Sequence, residues 1–319
     1  MPAATHSTRS TVKIQKAAEP WIKPLDSLVL LYQVVLSGLI LAGNLSFDEK
    51  LHLVGLHALA CLALVVVLWN LRNFSNPVVN FAREFYFLAI MLFFYREIGL
   101  LVHQYFDWTL DEWLFSVDNE MGKIGMRIWN QQQFYPPSPL MNEFFSIGYS
   151  FYFFLMPLAA LVLYFRAPLS RFRTFMFSLA FTYFLHYILF IFLPAESPRF
   201  YIPGLRESLQ GYWVSDWLQS AVENNAFPGG SFPSSHIAAS VICLMAYPYY
   251  GKWRYCVLLL TLLLFAGTIY GRYHYFVDVV AGLGVGLCCY FVAPWLEKKW
   301  PFIFDEEGFA RERPREAFN

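Results

Sequence analysis

The feature that most constrains this chain is a series of long apolar runs separated by short polar segments. Several runs approach the roughly 20 residues that a helix needs to cross about 30 Å of hydrocarbon. The predicted spans are residues 27–43, 51–69, 81–102, 143–165, 173–193, 235–249, 255–271 and 275–296. The sequence therefore predicts an all-α, polytopic transmembrane bundle with about eight spans, within a range of six to eight because the sixth and seventh runs are short.

The composition agrees with a membrane protein and excludes other classes. Of the 319 residues, 57% are hydrophobic and 14% are charged, whereas a soluble domain has about 25% charged residues. The formal net charge is zero, so the chain lacks the basic excess that a nucleic-acid partner requires. All five cysteines lie inside apolar runs, where neither a disulfide framework nor a zinc site is expected. We expect no metal and no cofactor.

The distribution of lysine and arginine predicts the orientation of the chain. With the amino terminus in the cytoplasm, the inner segments hold 16 basic residues and the outer segments hold six, as the positive-inside rule requires. We expect a cytoplasmic basic tail over residues 1–26, a transmembrane domain over 27–296 and a cytoplasmic polar tail over 297–319. Both termini are then cytoplasmic, and the protein spans a plasma membrane, an inner membrane or an endomembrane.

Polar residues at the ends of the predicted spans indicate a functional site, because ionisable groups at membrane depth are costly. Three clusters, residues 194–200, 229–236 and 270–278, come out on the same, non-cytoplasmic face. The candidate site residues in these clusters are Arg199, Ser234, Ser235, His236, Arg272, His274 and Asp278. Three separate segments that converge on one face predict a single site there.

The third cluster contains a histidine and an aspartate at helical spacing. His274 and Asp278 are four residues apart, so they share a face if a helix begins near His274. The carboxylate can then accept a hydrogen bond from one imidazole nitrogen and leave the other nitrogen as a nucleophile or base. The alternative is that the two side chains only hydrogen-bond to each other at the helix end and have a structural role.

The second cluster combines a glycine-rich approach with Ser234, Ser235 and His236 where a helix begins. Free backbone N–H groups and the helix dipole favour an anion such as phosphate at this position, and His236 could protonate a leaving oxygen. The alternative is that a serine only caps the helix. In the first cluster, Arg199 offers a fork suited to phosphate oxygens, although an interfacial arginine can also snorkel for structural reasons.

These motifs resemble those of the type 2 phosphatidic acid phosphatase (PAP2) superfamily. The run Pro233-Ser234-Ser235-His236 is similar to the central P-S-G-H motif of that family, and His274 to Val279 is similar to its third motif, which ends H-x-x-x-D-V. The order and separation of the motifs also match, and the resemblance covers residues 85–296. It implies a helical bundle of the PAP2/vanadium-haloperoxidase type.

The chain departs from the phosphatase pattern at positions that normally carry positive charge. Phe192 stands where the first motif has a lysine, and Phe200 follows Arg199 in place of proline. Gly267 and Thr268 stand where the third motif has Ser-Arg. The sequence around Arg199 and Arg272 resembles the inositolphosphotransferase and inositolphosphorylceramide-synthase-like branch more closely. Residues 107–120 and 143–152 also resemble this branch.

The resemblance implies a mechanism. His274 would attack phosphorus and form a phosphohistidine, Asp278 would orient it, and His236 would protonate the departing lipid oxygen and later act as a base. The phosphate oxygens would be held by Arg199, Arg272, Ser234 and the backbone N–H groups near Ser235.

The sequence does not identify the acceptor of the phosphoryl group. Transfer to water makes the protein a lipid phosphate phosphatase, which is the prediction preferred here. Transfer to an alcohol such as inositol or to ceramide makes it a head-group transferase. An inactive relative that binds or transports lipid is a third hypothesis. The expected partners are a lipid phosphate substrate and membrane lipids, with no nucleic acid.

Overall fold

The computed structural model describes residues 21–74, 76–123, 138–203, 205 and 209–300. Most of both predicted tails, residues 1–20 and 301–319, lies outside this part of the chain. The described helices are α1 Pro24–Ala42, α2 Phe47–Leu71, α3 Pro77–Leu101, α4 Asp111–Lys123, α5 Pro139–Ser150, α6 Tyr152–Arg166, α7 Leu169–Phe192, α8 Pro198–Tyr201, α9 Trp213–Asn225, α10 Ser235–Cys243, α11 Arg254–Tyr270 and α12 Phe276–Lys299.

Seven helical stretches of the described residues are long and apolar enough to cross a membrane. They are Pro24–Ala42, Phe47–Leu71, Pro77–Leu101, Pro139–Arg166, Leu169–Phe192, Gly251–Tyr270 and Phe276–Lys299. Each of them overlaps one of the predicted spans, and the fourth combines α5 and α6. The prediction of an all-α polytopic bundle with six to eight spans is confirmed.

The predicted sixth span, residues 235–249, differs from the others. It begins as α10 and continues over Leu244–Tyr249 as a 3₁₀ helix that contains Pro248. Proline has no backbone N–H and is disfavoured inside a helix, although α6 and α12 accommodate Pro157 and Pro294 without a change of helix type. The α-helical part has only 9 residues, and the prediction of a full transmembrane α-helix is wrong here. The two parts together still extend about 25 Å.

The helix α10 is buried between α7 and α12. Its close approach to α12 depends on Gly282, because a Cβ atom at this position would lie 2.4 Å from the carbonyl oxygen of Ser234. A residue with a side chain would therefore push the two helices apart. The glycine brings the start of α10 beside the start of α12.

One end of the bundle is held by buried ion pairs. Glu84, near the start of α3, pairs with Lys23, which precedes α1, and with Arg173 at the start of α7. At the same end Trp300, which follows α12, packs edge to face on Phe177 of α7. The three polar clusters follow the last residue of α7 or precede the first residues of α10 and α12, so they lie at the opposite end.

The centre of the bundle is α7, which packs on α1, α3, α6, α10 and α12. Phe172, Phe175, Phe177 and Phe190 of this helix are fully buried. In its most apolar window 72% of the residues are buried, against 11% for α2. A helix that is apolar on all sides belongs in the interior, whereas α2 presents its apolar side chains to the surroundings, as expected for a helix in contact with lipid.

Two short helices, α4 and α9, lie at the end of the bundle that carries the polar clusters. Each has 13 residues. Their tryptophans Trp113, Trp213 and Trp217 are 53%, 84% and 49% exposed. Because tryptophan is enriched where hydrocarbon meets lipid head groups, we expect both helices to lie along the membrane surface beside the clusters.

Candidate active site

The three polar clusters are tied to one another by backbone hydrogen bonds. The N–H of Ser231 donates to the carbonyl of Ala195, that of Arg199 to Arg272 and that of Ser234 to Asp278, at 3.0, 3.1 and 3.3 Å. Each cluster is thus bonded to the other two. The structure therefore brings the predicted segments into one region at one end of the bundle.

His274 and Asp278 lie side by side, although α12 begins two residues after the histidine. His274 Nδ1 is 3.4 Å from Asp278 Oδ2, and the same oxygen accepts the N–H of Tyr275 at 3.1 Å. The carbonyl of Thr268 accepts the N–H of His274 at 3.1 Å. The aspartate is fully buried and the histidine is 3% exposed. These contacts leave Nε2 as the imidazole nitrogen that points away from the carboxylate.

The second histidine faces this nitrogen. His236 Nδ1 is 3.3 Å from His274 Nε2, and Ser234 Oγ is 3.2 Å from the same atom. Ser234 occupies the N-cap position of α10 but makes no side-chain capping hydrogen bond. Its hydroxyl contacts His274 instead. Ser235 is the first residue of α10 and is buried. The backbone N–H groups of this first turn lack intrahelical acceptors, as at every helix start.

Burial sets the protonation state of His274. It lowers the pKa of this histidine to about 4, and a hydrogen bond with the backbone of Ser231 opposes the effect only in part. The imidazole is therefore neutral at physiological pH. A neutral ring is the form that carries a lone pair for nucleophilic attack.

Arg199 is buried beside the site, with 4% of its surface exposed. Its Nη2 donates to Glu223 of α9 at 2.9 Å, while Nη1 is buried and has no hydrogen-bond partner in the described part of the chain. The arginine also lies close to Tyr273: burial raises the pKa of this tyrosine to about 12, and the positive charge of Arg199 acts in the opposite direction. One end of the guanidinium is thus held by an acidic residue.

Arg272 takes a left-handed backbone conformation, with φ of 63°. This conformation costs about 1 kcal/mol or more for a residue with a side chain, and it turns the chain between α11 and α12. The arginine is 4% exposed, and its Nη1 donates to the carbonyl of Leu205 at 3.2 Å. The structure therefore joins the two arginines through their backbones and directs these two guanidinium nitrogens to Glu223 and Leu205.

Sequence reasoning missed Asp111, the first residue of α4. Its side chain is fully buried and accepts the N–H groups of Glu196 at 2.8 Å and Ser197 at 3.2 Å. It also accepts the hydroxyl of Tyr275 at 3.1 Å. This carboxylate therefore connects the loop of Arg199 to the loop of His274.

A second carboxylate of α4, Asp118, was also missed. It accepts the N–H groups of Phe276 at 2.7 Å and Val277 at 3.0 Å, the first two residues of α12. Burial raises the pKa of Asp118, while the hydrogen bonds from these two amides act in the opposite direction. Asp118 caps the helix that carries Asp278.

A third carboxylate, Glu143 of α5, caps α9 in the same way. It accepts the N–H groups of Tyr212, Val214 and Ser215 at 2.9, 2.8 and 3.0 Å. The signal available in the sequence was the resemblance of residues 107–120 and 143–152 to one branch of a family, since these ranges contain all three acids. Within the described residues, no group of three or more histidine, cysteine or acidic side chains is arranged to hold a metal ion.

The fold and the site define a class: a polytopic helical membrane protein with a buried pair of histidines and an aspartate at one end of the bundle. A family model described as the PAP2 superfamily matches residues 112–292. The match covers more than half of the chain and includes both histidines and the aspartate. The chain belongs to the PAP2 superfamily.

One curated relative agrees with this membership. A PA-phosphatase related-family protein of Dictyostelium discoideum is 35% identical over 126 residues, which are 38% of this chain and 23% of the relative. The matched stretch is thus less than a quarter of the relative's length. No solved structure matches the chain.

Proposed function

We propose that this protein is a lipid phosphate phosphatase that works through a phosphohistidine on His274. One observation carries the proposal. His274 Nδ1 lies against the Asp278 carboxylate, while its Nε2 lies 3.3 Å from Nδ1 of His236. A neutral imidazole, a carboxyl group and a second imidazole thus meet at one point. Membership of the PAP2 superfamily and the name of the Dictyostelium relative, a PA-phosphatase related-family protein, support the same type of chemistry.

In the first half-reaction His274 Nε2 attacks phosphorus and the bond from phosphorus to the lipid oxygen breaks. His236 takes up a proton when the anionic phosphate binds beside it and, as the imidazolium, gives its Nδ1 proton to the departing oxygen, so a neutral alcohol leaves. Asp278 stabilises the positive charge that develops on the His274 ring. In the second half-reaction the neutral His236 takes a proton from water, whose oxygen displaces His274 from phosphorus.

The phosphate oxygens need positive partners during both steps, because phosphoryl transfer depends mainly on positioning and electrostatic stabilisation. In this proposal the substrate engages Arg199, whose Nη1 has no partner among the described residues, and Arg272. Ser234 Oγ and the backbone N–H groups at the start of α10, beginning with Ser235, complete the cradle. The substrate phosphate also competes with Glu223 for Arg199.

The site is proposed to face away from the cytoplasm. Lys23, Arg83, Arg173 and the Lys298-Lys299 pair lie at the bundle end opposite the clusters, and basic residues favour the cytoplasmic side. The domain limits predicted above, with a transmembrane domain over 27–296, are part of this proposal. Single cysteines at Ser220, an exposed residue of α9 at the end of the bundle that carries the clusters, and at Arg313, in a background without the native cysteines, are expected to react with impermeant reagents from opposite sides. Reaction from the same side would contradict the orientation.

An assay with purified protein and a panel of phospholipids tests the proposed reaction. We expect free phosphate to be released from phosphatidic acid by the wild type and not by His274→Ala. The panel is run with and without inositol and ceramide, and new lipids are scored beside free phosphate. Formation of a new lipid without free phosphate would replace the phosphatase by the head-group transferase, and no turnover of any lipid would favour an inactive relative that binds or transports lipid.

A further inference from the structure

His236 has a second hydrogen-bond partner that neither of the recognised motifs contains. Its Nδ1 faces His274, whereas its Nε2 lies 2.9 Å from the hydroxyl oxygen of Tyr149 on α5. The four residues Tyr149, His236, His274 and Asp278 therefore form one continuous chain of polar contacts. Tyr149 ends this chain on the side of His236, as Asp278 ends it on the side of His274.

The position of Tyr149 is built into the packing of α5 against α11. A Cβ atom at Gly267 of α11 would lie 2.7 Å from the carbonyl oxygen of Phe145 and 3.1 Å from the backbone nitrogen of Tyr149. A larger residue would therefore move α5 away from the site. The tyrosine ring is 5% exposed and packs on Tyr273 with ring centroids 4.5 Å apart. Its hydroxyl has little freedom to turn away from His236.

We propose that Tyr149 is a positioning residue that decides which nitrogen of His236 exchanges protons. The proposal rests on the function proposed above, in which His236 is the acid and then the base. When His236 is an imidazolium, its Nε2–H donates to the oxygen of Tyr149, so Nδ1 is the nitrogen that faces the reacting phosphorus. After Nδ1 gives its proton to the leaving oxygen, the neutral ring keeps its proton on Nε2. Nδ1 then has the lone pair that the second half-reaction needs.

The two histidines thus have partners of different chemistry. The carboxyl group of Asp278 stabilises positive charge on His274 and supports its attack on phosphorus. In this role the neutral hydroxyl of Tyr149 accepts from Nε2–H of His236, which keeps the ring proton on Nε2 without holding the second proton strongly, as a residue that must give and take a proton within one cycle requires. The difference in partner assigns one histidine to attack and the other to proton transfer.

A matched pair of variants tests this role. Tyr149→Phe removes the hydroxyl and keeps the ring. Tyr152→Phe is the control: the Tyr152 ring also lies beside His236, with centroids 4.2 Å apart, but its hydroxyl bonds to Tyr183. Two substrates are compared on each preparation. Phosphatidic acid needs a proton on its departing oxygen, whereas 4-nitrophenyl phosphate releases an anion that needs none, and its initial burst of nitrophenol reports the first half-reaction alone.

We expect Tyr149→Phe to lower the rate on phosphatidic acid about tenfold to a hundredfold, a loss of part of the general-acid contribution, and to change the nitrophenol burst less than about threefold. Tyr152→Phe should leave the ratio of the two rates at the wild-type value. A loss of folded protein lowers both rates equally, so the ratio stays informative.

The proposal is overturned if Tyr149→Phe lowers both rates by the same factor, or if it leaves the rate on phosphatidic acid unchanged. A wild-type protein that cleaves neither substrate overturns the proposed function and this role together. A wild type that cleaves both, with the same ratio in the two variants, overturns only the role of Tyr149.

Discussion

Replacement of Asp118 by alanine should disturb catalysis from outside the reacting cluster. The carboxylate comes from α4 and accepts the N–H groups of Phe276 and Val277, the first two residues of α12. These amides have no acceptor within α12. Asp278 belongs to the same first turn and His274 lies two residues before α12, so the cap positions both.

The size of the effect follows from these contacts. Removing an N-cap acceptor costs about 0.5–2 kcal/mol, and hydrogen bonds to a charged group contribute about 1.5–3 kcal/mol each. Water can replace part of this at a half-buried position, so we expect about 2 kcal/mol. His274 Nδ1 and Asp278 Oδ2 are already 3.4 Å apart, and a misplacement of about 1 Å can cost about a hundredfold in rate. We predict a fall in kcat of about tenfold to a hundredfold for Asp118→Ala, with KM within about threefold.

The assay measures kcat and KM for phosphatidic acid together with the melting temperature in detergent. Glu112→Ala is the control, because Glu112 lies on the same helix, carries the same charge and is exposed. Asp118→Asn keeps one acceptor oxygen and should fall between Asp118→Ala and the wild type. If Asp118→Ala keeps more than a third of the wild-type kcat, α4 does not position the site and the reasoning is refuted.

Three further predictions concern the reacting cluster. His274→Ala and His236→Ala should abolish or severely reduce turnover of folded protein, and Asp278→Asn should keep the most activity because it loses orientation rather than the nucleophile; wild-type rates in His274→Ala would contradict the assignment. Arg199→Ala and Arg272→Ala should each lower kcat/KM about a hundredfold to a thousandfold, with lysine restoring only part of it; a change below threefold for Arg272→Ala would remove it from the cradle. Because burial lowers the pKa of His274 to about 4, kcat/KM for 4-nitrophenyl phosphate, corrected for ionisation of the substrate, should stay level from pH 7 to about pH 5 and fall towards pH 4; a midpoint near the ordinary histidine value of about 6.5 would contradict this.

Most of the fold could be predicted because membrane spans depend on local composition. Seven predicted spans overlap helices that are long and apolar enough to cross a membrane, since each run by itself meets the length and hydropathy that hydrocarbon demands. The predicted sixth span differs, because its α-helix ends at Cys243 and a 3₁₀ helix follows over Leu244–Tyr249. The chain was apolar enough there, and the backbone geometry decided the outcome.

The proximity of the candidate site residues could be predicted because their spacing is short. His274 and Asp278 are four residues apart, and His236 directly follows Ser234 and Ser235 in a short motif. The supporting carboxylates could not be predicted in the same way. Asp118 caps residues that follow it by 158 and 159 positions, and no local pattern marks an acid whose acceptor role depends on the approach of another helix. Only the resemblance of its segment to related chains pointed to it.

The departure from the phosphatase pattern at Gly267 has a structural consequence that spacing alone does not reveal. By resemblance, this position and Thr268 should carry Ser-Arg, and a missing arginine suggests only a weaker phosphate cradle. In the structure Gly267 permits the contact between α11 and α5. The carbonyl of Thr268 accepts a hydrogen bond from the N–H of His274 at 3.1 Å. Gly267 therefore lets Tyr149 reach His236 at 2.9 Å, while the neighbouring Thr268 stands where the family pattern has a cation. Restoring Ser-Arg at these two positions should accordingly displace α5 before it can add positive charge to the site.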